Sequence, residues 1–587
     1  MTRYFPRPSF RSWLAAGDLS RSQFALALVL IMLLAVGLRM VFPVADPPAR
    51  PSIGVVWHDE GAWVHNARNK ALFGAWKLDE WNPVYVTPVL TALEYAAFRV
   101  WGVGLVQARL VPELLGALSV LLIGLGVSRA ANRLAGAIAA LLLGTCFVYV
   151  MYDRAATIEG TMIAFLVVSW YGYARARQQP RYGLLAGAAA ITAYFTKASA
   201  VFYLGALGLD ALLSLTTSGG GAAAPERDAR RRAALYTLAG LIVAGLAVLA
   251  LFVLPHWQEY RFYNWQLSVT RKPVYTLKAI ADRASWLPVD SDIFTRVWPV
   301  LLIGAGAALG RLVNWRELVP AERVLLGWIG LGLAELILHD VQERRLIFLL
   351  PPFIAMAAIA IGGDRRLVPP ALASVSRARA LIAAPLVLYA LFLVIGPVAR
   401  LASIYTVRPG VRLAAAAAVL AAATLYARWP RTAAWLARQR WTPAAGMLLA
   451  LLICSSDLIQ FAQWAASRTS KNYEAMLLVA RWLPPDTLVH GKLANGLCLE
   501  SRIRPVFVGR GFGNYEDRRR RDDIRYVLTY VAPSLGYESQ AANPIILDVL
   551  NAAPGWGILH TFDVTETQGG NDRAALIDKT PAPRRLR

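Results

Sequence analysis

Four short stretches of this chain carry side chains of the kind that bond-making chemistry needs. Asp59 and Glu60 stand together in VWHDEGAWVHN, between His58 and His65; Asp153, Arg154 and Glu159 fall in YDRAATIE; Lys197 closes FTK; and His339, Arg344 and Arg345 share HDVQERR. Carboxylates can take a proton from an acceptor hydroxyl, and lysine and arginine can hold a phosphate. Both halves of a group transfer from a phosphate-linked donor are therefore present. Each cluster also has a plainer reading. Asp59 and Glu60 can be solvated loop charges, Asp153 with Arg154 a surface ion pair worth little, and Lys197 with the two arginines snorkelling anchors at a membrane surface. The histidines read as hydrogen-bonded supports. Topology is what lifts the clusters above these alternatives.

The elements that must position them are membrane helices. Of 587 residues, 57% are hydrophobic, only 17% are charged and 19 are tryptophan, with a mean hydropathy of +0.45; that composition lies outside the soluble globular range. The net charge of +24 falls in short clusters between apolar runs, facing membrane headgroups. No basic helix or aromatic platform of the nucleic-acid-binding kind occurs. Apolar runs lie near residues 22–43, 109–128, 134–151, 160–174, 182–196, 198–216, 233–255, 294–310, 321–338, 346–363, 380–399, 410–427 and 442–464, which predicts about thirteen transmembrane helices. The first follows Arg3, Arg7, Arg11 and Arg21 without a small-residue cleavage site, so it is read as an uncleaved span.

With the N-terminus in the cytoplasm, the alternate connections SRAANR, ARARQQPR, PERDARRR, RLVNWRELVPAER, GDRRLVPPALASVSRAR and ARWPRTAAWLARQR all fall inside, and all are arginine-rich, as the positive-inside rule requires. The four clusters then share the outer face of a multi-pass inner-membrane protein. Residues 44–108 form a long first external loop, in which TPVLTALEYAAFRVWG reads as an interfacial helix with Tyr95 and Trp101 at headgroup depth. The spans and this loop make a membrane domain, 1–465. From 466 to 587 short β-rich runs (TLVHG, PVFVG, RYVLTY, GILHTFDV) alternate with helical stretches, which predicts a small extracytoplasmic α/β domain.

GAGAALG (304–310) sits in a predicted span with no strand before it, and GRGFG (509–513) lacks the following helix that would hold a phosphate. Cys146, Cys454 and Cys498 are too few for a disulfide framework. Nucleotide sugars belong to the cytoplasm, so the donor that suits an outer-face site is a sugar on a lipid phosphate. Two rival classes use the same groove without chemistry: a transporter or flippase of lipid-linked sugars, which calls for inverted repeats and midplane polar groups, and a noncatalytic scaffold or sensor.

The order WHDEGAWVHNARNKALFG, NPVYVTPVLTALEYAAFRVWGVGLVQARL, YDRAATIEGTMIAFLVVSWYGYARAR, GLLAGAAAITAYFTKASAVF and QERRLIFLLPPFIAMAA resembles the GT-C fold of membrane glycosyltransferases that use polyprenyl-phosphate sugars, on the branch of protein O-mannosyltransferases and the lipid A aminoarabinose transferase. The resemblance spans roughly residues 20–360. It implies a polytopic α-helical GT-C protein that transfers a sugar, with inversion, to a lipid, glycan or protein hydroxyl. It implies a catalytic role for Asp59 with Glu60 beside it, a second acidic residue at Glu159, and donor-phosphate contacts from Lys197, Arg344 and Arg345. Asp153, Arg154 and His339 are further site candidates. Some members hold a divalent metal near the first loop, for which Glu80 and His256 are the candidate ligands here. The chain departs from the aminoarabinose transferases at NPVYVTP, where Trp81 and Asn82 precede Pro83 in place of a Glu-Lys-Pro-Pro element.

Overall fold

Ser20 starts the first long helix. In the computed structural model of the protein its hydroxyl accepts from the Gln23 amide while Gln23 reaches back to the Ser20 N–H, a reciprocal cap for the apolar helix Arg21–Met40. The structure describes residues 18–48, 54–216, 224–269, 274–286, 292–312, 318–339, 343–364, 409–428, 442–532, 542–565 and 572–580, with a few positions between 384 and 395. The predicted span at 380–399 lies largely outside them.

Among the described residues, six helices are long and apolar enough to cross a membrane, or seven if a bent pair counts as one span. That is fewer than the thirteen expected. Among the described residues other apolar runs are helical too, but Tyr182–Thr196 is short, Ile158–Ala176 carries Glu159 and Arg175, Pro320–Leu338 carries Glu322 and Glu335, and Asp292–Leu312 is kinked at Val297. A hydropathy window registers apolar content alone; it does not separate a helix packed inside a bundle from one facing lipid.

The bent pair is Arg133–Thr145 and Phe147–Asp153, which meet at Cys146 with a 62° bend. Asp457 Oδ1 accepts the Phe147 N–H at 3.0 Å, supplying the acceptor that the break removes. At the far end of the second half, Asp153 pairs with Arg39, both side chains wholly buried. The next residue, Arg154, donates to the carbonyls of Leu38, Arg39 and Phe42 and so caps the helix Arg21–Met40.

The tail contains a five-stranded sheet of β1 (Leu488–His490), β2 (Arg504–Val506), β3 (Tyr526–Ala532), β4 (Gly557–Val564) and β5 (Asp572–Asp578) in the order β2-β1-β3-β5-β4. The β1 pairings are parallel and the β5 pairings antiparallel. The four β-rich runs of the sequence coincide with β1 to β4; β5 is added from RAALID, whose alanines gave no strand signal.

The packing of the tail crosses the boundary drawn at residue 465. One hydrophobic core joins Trp57, Val64, Ala67 and Phe98 of the first loop to Met476, Leu493, Tyr530 and Leu576 of the tail. Asp46 adds a polar tie, accepting from the N–H groups of Lys471 and Asn472 and from the Thr469 hydroxyl. The loop helix Pro88–Trp101 carries Trp101 on its exposed side, whereas Tyr95 packs on Trp76 with ring centroids 4.9 Å apart.

Candidate active site

Asp59 and Glu60 open the short helix Asp59–Trp63, their amides bonded back to the carbonyls of Val56 and Trp57. Across from it the chain returns 285 residues later: Arg344 Nη1 donates to Asp59 Oδ2 at 2.7 Å, and Arg344 Nε lies 3.9 Å from Glu159 Oε1. Glu159, in the first turn of the helix Ile158–Ala176, also accepts from Lys197 Nζ at 2.7 Å.

 The four residues thus form one alternating chain, Asp59, Arg344, Glu159, Lys197, drawn from four separate elements. The side chains of Asp59, Lys197 and Arg344 keep 12, 14 and 18% exposure while Glu159 keeps 3%, so the first three can meet a ligand and Glu159 sits behind them. Burial pulls the Lys197 ammonium below its ordinary pKa; Glu159 opposes this, and Arg344 and Arg345 add to it. Arg345, partly buried, is thereby close enough to act on Lys197.

Glu60 points its charge elsewhere. Both carboxylate oxygens accept from Arg109, at 2.8 and 2.9 Å, and Oε1 also accepts the Ala156 N–H. Arg109 in turn donates to the carbonyls of Pro43 and Ala45. This buried brace ties the first loop to the start of the helix Leu105–Ala130 and to the turn before Glu159. Asp153 and Arg154 are engaged in the helix contacts described above. His339, at the end of the helix Pro320–Leu338, is largely exposed and lies 4.0 Å from Glu335 of its own helix. His58 Nε2 stands 4.0 Å from Asp59 Oδ1, and His65 bonds Asp79 at 2.7 Å and Asn495 at 3.2 Å.

The metal candidates Glu80 and His256 each have protein neighbours. The Glu80 carboxylate accepts from Asn514 at 2.8 Å, the His256 ring packs on Tyr85 and Phe252, and among the described residues no three His, Cys, Asp or Glu side chains converge as a metal site would require. The segment that departs from the aminoarabinose pattern is instead a docking point: Asn82 donates to the Tyr263 hydroxyl and accepts from Asn66, and Trp81 packs on Phe507 of the tail. Sequence reasoning passed over Arg109, Arg39 and Arg68. Their one signal is arginine placed at the edge of an apolar run or inside the first loop, which is also where snorkelling arginines fall.

Residues 85–219 match the family described as dolichyl-phosphate-mannose-protein mannosyltransferase. The fold is of the GT-C type. Among solved structures, ArnT from Cupriavidus metallidurans in the apo state is similar over 94% of this chain and 97% of its own, at 14% identity and a TM-score of 0.53. The same protein bound to undecaprenyl phosphate matches over 97% and 98%, at 14% identity and a TM-score of 0.48. The Archaeoglobus fulgidus oligosaccharyltransferase tethered with an acceptor peptide matches over 95% of this chain and 74% of its own, at 13% identity and a TM-score of 0.46. No curated protein matches by sequence.

Proposed function

We propose that this protein moves a sugar from a polyprenyl-phosphate donor to a hydroxyl of a lipid, glycan or protein acceptor on the outer face of the membrane, with inversion at the anomeric carbon. The observation that carries this reading is the chain of Asp59, Arg344, Glu159 and Lys197, two carboxylates interleaved with two cations within 2.7 to 3.9 Å. The arginine-rich connections support the outer-face assignment, and the family match at residues 85–219 supports the lipid-phosphate donor.

In this mechanism the donor phosphate enters against Lys197 and Arg344, with Arg345 adding positive charge. Arg344 is already bonded to Asp59, so the incoming phosphate competes for the same guanidinium. As Arg344 turns to the phosphate, Asp59 loses its counter-charge and becomes the stronger base. It then takes the proton of the acceptor hydroxyl while that oxygen attacks C1 of the sugar. The C1–O bond to phosphate breaks, the C1–O bond to the acceptor forms, and the polyprenyl phosphate leaves with its charge met by Lys197 and Arg344. Glu159 holds both cations in place, and Glu60 with Arg109 fixes the helix that carries Asp59.

The test is direct. Purified protein in nanodiscs is incubated with radiolabelled polyprenyl-phosphate sugars and cell-envelope extract. Label appearing on a new product is the expected result. Donor that only changes leaflet, with no labelled product from any sugar of the panel, overturns the reading in favour of a flippase.

A further inference from the structure

The helix that carries Asp59 is held from its other side by the tail. Gly61 has no room for a side chain, because a Cβ there would stand 1.9 Å from the backbone oxygen of Asn495. Gly496 is equally tight, since its Cβ would meet the Cβ of His58 at 2.7 Å. Two backbones therefore touch through glycine on both sides, directly beneath His58 and Asp59. The His58 ring lies edge-on to Trp57 and to Tyr530 of β3, at centroid distances of 5.7 and 6.5 Å.

In the next helix, His65–Phe73, Arg68 locks the same contact. Its wholly buried guanidinium donates to the carbonyls of Cys498, Ser501 and Ile503 at 3.0, 2.7 and 3.0 Å. An arginine buried without a carboxylate and spent on three carbonyls of one short segment fixes that segment's distance and orientation. The tail thus supplies a rigid floor to the Asp59–Trp63 helix.

We infer that the segment Asn495–Ile503 of the tail is the positioning element for the catalytic carboxylate, acting through Gly61, Gly496 and Arg68. This rests on the reading of Asp59 as the general base. A base has to reach its proton within about 2.6–3.2 Å, and a displacement of about 1 Å can cost on the order of a hundredfold in rate. A methyl group at residue 61 has to widen the contact from 1.9 Å to roughly 3.5 Å, a shift of the size that matters. Lys197 stands on another element, after the helix Tyr182–Thr196, so donor binding is left largely in place.

The experiment compares Gly61→Ala, Arg68→Lys, Asp59→Asn and Gly513→Ala in the full chain, each checked for a single size-exclusion peak. Arg68→Lys keeps the charge and loses the fork. Gly513 has open space where its Cβ would lie, so Gly513→Ala controls for adding a methyl group to the tail and should transfer at the wild-type rate. Expected are a kcat lowered about a hundredfold in Gly61→Ala and on the order of tenfold in Arg68→Lys, as its smaller disturbance implies, with the donor KM within about threefold in both. A role confined to stability would lower the folded fraction and leave kcat per folded molecule unchanged. Folded Gly61→Ala at wild-type kcat overturns the inference; should Gly61→Ala fail to fold, Arg68→Lys at wild-type kcat overturns it. If Asp59→Asn abolishes transfer and neither tail-contact variant slows it, only the tail's role falls. If Asp59→Asn transfers normally, the reading of the base falls and takes the inference with it.

Discussion

Replacing Asp59 with asparagine separates the two things its carboxylate does. The side chain keeps its shape and loses its charge, so the fold has little reason to change, but the base is gone. Loss of a general base lowers the rate by about 10²–10⁴-fold, or roughly 3–5 kcal/mol of transition-state stabilisation. Arg344 meanwhile loses a partner at 2.7 Å and keeps Glu159 at 3.9 Å. A hydrogen bond to a charged group contributes about 1.5–3 kcal/mol. If the donor phosphate has to displace Asp59 from Arg344, removing that competitor returns part of this energy to donor binding, and a tenfold change needs only about 1.4 kcal/mol. Asp59→Asn is therefore expected to transfer 10²–10⁴-fold more slowly, in the range given for loss of a base, while binding donor about as tightly as wild type or up to about tenfold more tightly. Single-turnover transfer with radiolabelled donor gives the rate, and equilibrium binding of the same donor in nanodiscs gives the affinity. Transfer within about threefold of wild type refutes the base. A slow variant whose donor affinity has fallen refutes the competition for Arg344, since Asp59 would then be helping the phosphate to bind.

Two further outcomes follow from neighbouring pairs. Donor capture needs Lys197 protonated, and its pKa is already lowered by burial and held up by Glu159; Glu159→Gln removes the support, so the alkaline limb of kcat/KM for donor should move to lower pH, and a limb that stays fixed or moves upward excludes Lys197 as the titrating group. Asp153→Ala leaves the wholly buried Arg39 without the carboxylate it bonds at 2.7–2.9 Å, a loss of about 3–5 kcal/mol; thermal unfolding in detergent should show a large drop in midpoint, and a midpoint equal to that of wild type would contradict a structural role for the pair.

Much of the site was legible because charge is scarce in a chain this apolar. Counting arginines along the connections put Asp59, Glu159, Lys197 and Arg344 on one side of the membrane, and the structure brings those four into a single chain of contacts. The division of labour between Asp59 and Glu60 was not legible. Adjacent residues near the start of a helix point about 100° apart, and the partner that separates them, Arg109, sits inside an apolar run where its charge reads as an interfacial anchor. The neighbours of the metal candidates were not legible for a related reason. Glu80 and His256 are of the right types, but their surroundings are set by Asn514 and Tyr85, distant in sequence from at least one of them.

The domain boundary teaches more. Composition changes at residue 466 because the chain leaves the apolar helices there, so a division of the sequence at that point follows hydropathy. The core follows contact instead: Trp57, Val64 and Ala67 of the first loop are buried in one cluster with Met476, Leu493 and Tyr530 of the tail. Packing of the first loop is thereby tied to the tail. Arg68, bonded to three carbonyls more than 400 residues away in sequence, fixes the register of that meeting, because a buried donor left without its acceptor is costly. On the proposed role of Asp59, the docking of the tail and the positioning of the base share one contact.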